Sequence, residues 1–211
     1  MRAFESPWGH FQFSVRRQTI EASELIEIRW HGRGGQGAVT SAELIAQAAI
    51  AEGKYAQAFP SFGPERRGAP VMSFNRIDAV SPIRNRAGVT TPDIVVVLDP
   101  SLLTIGNVTS GLKAGGAIIL NTSKSASQFK DLADKFVVAT VDASRIAREI
   151  LGVPIVNTTM LGAIVKTRRL ISLASLEEPL KARFGKLAEK NMAAMKRAFE
   201  ETNVKELSTV G

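Results

Sequence analysis

Three glycines stand where a strand must turn sharply into a helix, and this junction constrains the fold more than any other part of the chain. Ahead of it, Ile26, Ile28 and Trp30 alternate with Glu27 and Arg29, the period of a strand with one apolar and one polar face. Behind it, residues 38–52 are rich in Ala, Leu and Ile and free of Gly and Pro, which predicts a helix. Between the two, Gly32, Gly34 and Gly37 take G-x-G-x-x-G spacing within His31-Gly32-Arg33-Gly34-Gly35-Gln36-Gly37. This is the Rossmann context, in which backbone amides and a helix N-terminus can receive an anion.

A dinucleotide site of this kind places an Asp or Glu at the end of the second strand, about 20 residues on. Here the second strand, near Tyr55 to Phe59, ends in Pro60-Ser61, and Glu65 lies beyond it in a loop. The glycines therefore read first as a tight turn with close helix–strand packing, or as a surface contacted by another subunit. A free dinucleotide-binding module is the second reading.

Thirty residues on, Phe62-Gly63-Pro64-Glu65-Arg66-Arg67-Gly68-Ala69-Pro70 forms a loop whose glycines and prolines fix its course. Glu65, Arg66 and Arg67 project charge from that frame, and arginine presents a planar fork suited to phosphate or carboxylate. An ion pair with an acidic partner surface and recognition of a phosphate both satisfy the pattern.

The rest of the chain alternates strands and helices. Val71 to Asp78 reads as a strand, and Val80 to Val89 as a polar loop. Ile94 to Leu98 is a continuous apolar run, as expected of a strand buried on both faces of a parallel sheet beside the first strand. Further strands are expected at Ala117 to Leu120 and Phe136 to Val141. Asp99-Pro100 reads as the N-cap and first position of a short helix, and Asp142 repeats the arrangement ahead of a helix over Ala143 to Leu151. Asn157 and Thr158 cap a helix through Arg169. Ser172 caps the next, where Pro179 requires a kink or break. In the final helix Ala188, Met192, Met195 and Phe199 share one face. The expected fold is a single three-layer α/β/α Rossmann-like domain with a mostly parallel sheet and C-terminal helices, over residues 25–211. Residues 1–24, with Trp8, Phe11 and Phe13, form an N-terminal extension that reads as an arm ordering on a partner or as a flexible tail.

Composition narrows the chemistry. The chain has no cysteine among 211 residues, so it offers no thiolate to an iron–sulfur cluster. His10 and His31 are its only histidines, which leaves no cluster of nitrogen ligands for zinc, and His31 beside the crowded turn reads as a hydrogen-bonded structural residue. No catalytic residue and no metal ligand is assigned. Net charge is +7, but the cations fall in short groups not interleaved with aromatics, which argues against nucleic acid. No run of 18 apolar residues and no apolar leader segment is present, which leads to the expectation of a cytoplasmic protein without a membrane span.

Several runs together resemble the gamma subunit of the 2-oxoacid:ferredoxin oxidoreductase family, in its pyruvate branch, with a branch acting on 2-oxoisovalerate or 2-oxoglutarate as the alternative. They are Glu27 to Val39 with the glycine turn, Tyr55-Ala56-Gln57-Ala58-Phe59-Pro60 with the Phe62 to Val71 loop, Pro92 to Asp99, Pro154-Ile155-Val156-Asn157-Thr158, and Met160-Leu161-Gly162-Ala163. The resemblance extends from about residue 25 to the C-terminal helix. It implies a heteromeric enzyme that oxidatively decarboxylates a 2-oxoacid, joins the acyl group to coenzyme A and passes electrons to ferredoxin. It implies alpha, beta and ferredoxin-like delta partners, with thiamine diphosphate, Mg2+ and [4Fe-4S] clusters held by those partners and not by this chain. On this resemblance Gly32, Arg33, Gly34, Gly35, Gln36, Gly37, Glu65, Arg66 and Arg67 are candidates for contact with coenzyme A or with a neighbouring subunit.

Overall fold

A computed structural model of the chain describes residues 25–61 and 68–207. The N-terminal extension and the Glu65, Arg66 and Arg67 positions lie outside the described residues.

Apolar runs of four or five residues build the centre of the sheet. Strands β1 (Ile26–Arg33), β4 (Ile94–Val97), β5 (Ala117–Asn121) and β6 (Val137–Val141) lie side by side in parallel. Every residue of β4, β5 and β6 is buried, the pattern of strands covered on both faces. β1 carries the alternation read from its sequence, with Ile28 and Trp30 fully buried in the larger core.

The outer strands run against this direction. β3 (Pro70–Asp78) is antiparallel to β1, β2 (Tyr55–Pro60) to β3, and the short β7 (Asn203–Lys205) to β6. The resulting order is β2-β3-β1-β4-β5-β6-β7, a mixed sheet whose parallel part is its central four strands. β7 has no counterpart in the sequence reading, because three residues after a helix carry too little pattern to mark a strand.

The two covering layers are unequal. On one face lie α1 (Ala38–Ala51), α4 (Ala143–Leu151), α5 (Asn157–Thr167), α6 (Glu177–Phe184) and α7 (Ala188–Glu201), which enclose the larger core. The other face of β4, β5 and β6 is closed by α2 (Leu102–Ile105), α3 (Lys130–Ala133) and the segments between them. Over β2 and β3, residues 79–93 take the place of a helix, held by Gln57 Nε2 donating to the Ile83 carbonyl and Arg76 donating to the Asn85 carbonyl.

Two expectations about helix ends change. Asp142 caps α4 through the Arg145 amide at 2.9 Å, as read. Pro179, however, produces no kink: a 3-10 turn over Ala174–Leu176 precedes α6 and leaves Pro179 third in the helix, where a missing N–H is one of the unpaired donors anyway. α5 begins at Asn157 and ends at Thr167, two residues short of the expected Arg169.

Candidate functional site

The glycine turn ends β1 and starts α1 at the C-terminal edge of the parallel strands. α1 departs to one face of the sheet and α2, which follows β4, to the other. The gap between β1 and β4 is therefore the switch point at which open α/β sheets form their ligand crevice.

Two glycines of the turn need their special backbone. Gly35 has φ +94° and Gly37 φ +80°, values that L side chains rarely adopt. They differ in surroundings. A β-carbon on Gly37 would stand 2.6 Å from Asn157 Nδ2, so α5 abuts the turn there, whereas one on Gly35 would meet nothing within 4 Å. Close approach inside the chain thus occurs at Gly37, and Gly35 presents an exposed, open backbone.

The two sequence motifs meet at this edge. Gly34 N donates to the Ala69 carbonyl at 2.9 Å, and Gly68 N donates to the Gly34 carbonyl at 3.2 Å. Arg33 Nη1 also donates to the Gly68 carbonyl at 3.0 Å. The residues that flank 62–67 are held on both sides, since Ser61 N donates to the Met72 carbonyl at 2.9 Å.

Charged side chains span the crevice. Arg33 Nε reaches Asp99 Oδ2 at 3.0 Å and Arg33 Nη2 reaches Ser101 Oγ at 2.8 Å. Gln36 folds back across the turn, accepting from Arg33 N at 2.7 Å and donating to Asp99 Oδ2 at 3.1 Å. Asp99 does bond the Ser101 amide, as a capping residue would, but α2 begins only at Leu102. The greater part of its role was missed in sequence reading, because its partners in the turn lie more than 60 positions away. Burial works to raise the Asp99 pKa, and the hydrogen bonds from Ser101, Gln36 and Arg33 outweigh it, holding the carboxyl below its ordinary value.

Beneath the turn, on the face opposite α1, buried Arg29 donates to the Val108 and Ser110 carbonyls and through Nε to His31 Nε2 at 3.0 Å. His31 is thereby hydrogen-bonded, as expected of it. Desolvation, and then the charge of Arg29, push its pKa down to about 4. A neutral ring accepting at Nε2 carries its proton on Nδ1. Among the described residues no group of three or more His, Asp or Glu could hold a metal ion, and no helix is long and apolar enough to cross a membrane.

Residues 27–201 match the model of the pyruvate ferredoxin/flavodoxin oxidoreductase family. The chain belongs to this family. Within it, the chain is 54% identical over 186 residues to the pyruvate/ketoisovalerate oxidoreductases common subunit gamma of Thermococcus litoralis, covering 87% of this chain and all of that one. It is 54% identical over 178 residues to the pyruvate synthase subunit PorC of Methanothermobacter thermautotrophicus, covering 84% and 96%. The crystal structure of the pyruvate oxidoreductase subunit PORC from Thermotoga maritima superposes with a TM-score of 0.74 at 37% identity, over 86% of this chain and 99% of that chain. The family is one of oxidoreductases, and the open α/β sheet is the fold of its PorC member.

Proposed function

We propose that this chain is the gamma subunit of a pyruvate synthase, a heteromeric enzyme that converts pyruvate, coenzyme A and oxidised ferredoxin to acetyl-CoA, CO2 and reduced ferredoxin. The observation that carries the reading is likeness over the whole length of PorC-type subunits, 54% identity with 96% of the Methanothermobacter protein covered. With no cysteine in the chain, thiolate-ligated [4Fe-4S] clusters belong to alpha, beta or delta partners, as do thiamine diphosphate and Mg2+ on the family resemblance.

The contribution of this chain is a wall at the shared active site. The glycine turn and Gly68–Ala69 form one bonded edge, and Arg66 and Arg67 follow Glu65 directly before it in sequence. Coenzyme A carries phosphates that a paired guanidinium suits. In the assembled enzyme, Arg66→Ala and Arg67→Ala should each raise the KM for coenzyme A by about tenfold or more, since one charge-assisted hydrogen bond contributes about 1.5 to 3 kcal/mol. Pyruvate-dependent cluster reduction measured without coenzyme A should change little. Parental dependence on coenzyme A in both variants would refute this role.

A second reading has a specific motive. The Thermococcus relative is named as common to pyruvate and ketoisovalerate oxidoreductases, so one gamma chain can serve two enzymes. Affinity purification of this chain from its own cell distinguishes the cases: one set of partner subunits supports a dedicated pyruvate enzyme, two sets a shared subunit.

A further inference from the structure

The Asp99 carboxylate accepts hydrogen bonds from both sides of the crevice. Oδ1 takes the Ser101 amide at 3.0 Å and the Ser101 hydroxyl at 2.6 Å, while Oδ2 takes Arg33 Nε and Gln36 Nε2. Joining β1 to β4 does not require this, because the ladder between them and the Leu98 N to His31 carbonyl bond at 2.8 Å already do so. What the carboxylate adds is a fixed guanidinium. Arg33 directs Nε to Asp99, Nη2 to Ser101 and Nη1 to the Gly68 carbonyl, so each of its three nitrogens is held by a protein acceptor and the plane of the group is set.

We propose that Asp99 is a positioning residue that, through Arg33 and Gln36, fixes Gly68–Pro70 against the glycine turn and so sets the affinity for coenzyme A without touching it. The inference rests on the reading above that coenzyme A meets the chain at this edge. Its physical basis is that a carboxylate holding two donors on β1's turn and two on the segment after β4 leaves that turn a single geometry. Ser101 is the second member of the device, since its hydroxyl donates to Asp99 and accepts from Arg33.

The test uses the assembled enzyme with Asp99→Asn, which keeps the side chain's volume and removes its charge, and with Ser101→Ala as a milder variant should the first fail to assemble. Two readouts are taken. Hydrogen exchange in peptides spanning 32–36 and 68–71 reports the Gly34 and Gly68 amides, and steady-state kinetics report coenzyme A dependence. Faster exchange in both peptides, with the KM for coenzyme A raised about three- to tenfold and kcat near the parental value, is expected. Unaltered exchange would overturn the proposal. So would faster exchange with parental KM, provided Arg66→Ala or Arg67→Ala raises it, an outcome that leaves the coenzyme A reading standing. If no variant, arginine or aspartate, changes coenzyme A dependence, the functional reading itself fails and this inference with it.

Discussion

Burial of the imidazole, and then the Arg29 cation beside it, make His31 a sensor of acid. Its folded pKa of about 4 lies below the ordinary 6.5, so the unfolded chain takes up the proton first. The stabilisation is complete above pH 6.5, is lost as pH falls towards 4, and changes no further below that value. The slope in this window is at most about 1.4 kcal/mol per pH unit. Urea unfolding midpoints between pH 7 and pH 4 should fall less steeply in His31→Gln than in the parent, and equal slopes would show that His31 is not the titrating group. This pairing was only half legible in the sequence. Arg29 and His31 share a strand face by their i, i+2 spacing, but nothing local announces that the Val108 and Ser110 carbonyls arrive to bury the guanidinium. Arg76 repeats the lesson: it reads as a polar strand residue, yet it is 1% exposed, paired with Glu27 and stacked on Phe59.

Among secondary elements, α5 and α7 show what a single glycine permits. They run parallel, with Thr158 Oγ1 donating to Asn191 Oδ1 at 2.7 Å near one end and Lys166 over the Phe199 ring near the other. A β-carbon on Gly162 would lie 2.0 Å from the Met195 carbonyl oxygen and 2.8 Å from Phe199 N. Both obstacles are backbone, so Gly162→Ala must push the helices apart. The cost is about 3 kcal/mol or more, which for a domain of this size lowers Tm by about 6 to 12 °C; an unchanged melting curve would refute the crossing. The α7 face was readable from its period: Ala188 and Met195 are buried, and Met192 and Phe199 are partly buried and packed against the larger core. The antiparallel direction of β2 and β3 was not, because an apolar strand pattern identifies a buried face and is silent about the orientation of its neighbour. Pro179 misled for a related reason: a proline marks a helix start or a helix break according to what precedes it, and here a 3-10 turn does.

For the whole molecule, the absence of cysteine leaves an iron–sulfur cluster no thiolate ligand in this chain, and on the function proposed above the clusters sit on companion subunits. The chain purified alone should show neither the visible absorbance of an iron–sulfur cluster nor pyruvate oxidation, and both should return when the companion subunits are added. A coloured, active preparation of the single chain would contradict this division of labour. The contact of Gly37 with Asn157 bears on the order of folding. Asn157 abuts the turn from 120 positions downstream, and its carbonyl accepts from Ser41 Oγ at 3.2 Å. Emerging from the ribosome, β1, α1, β2 and β3 can pair while the wall that backs the turn is still unmade. The glycine turn is therefore finished late, by a loop closure of high contact order, and an incomplete chain exposes a glycine-rich edge with no α5 behind it.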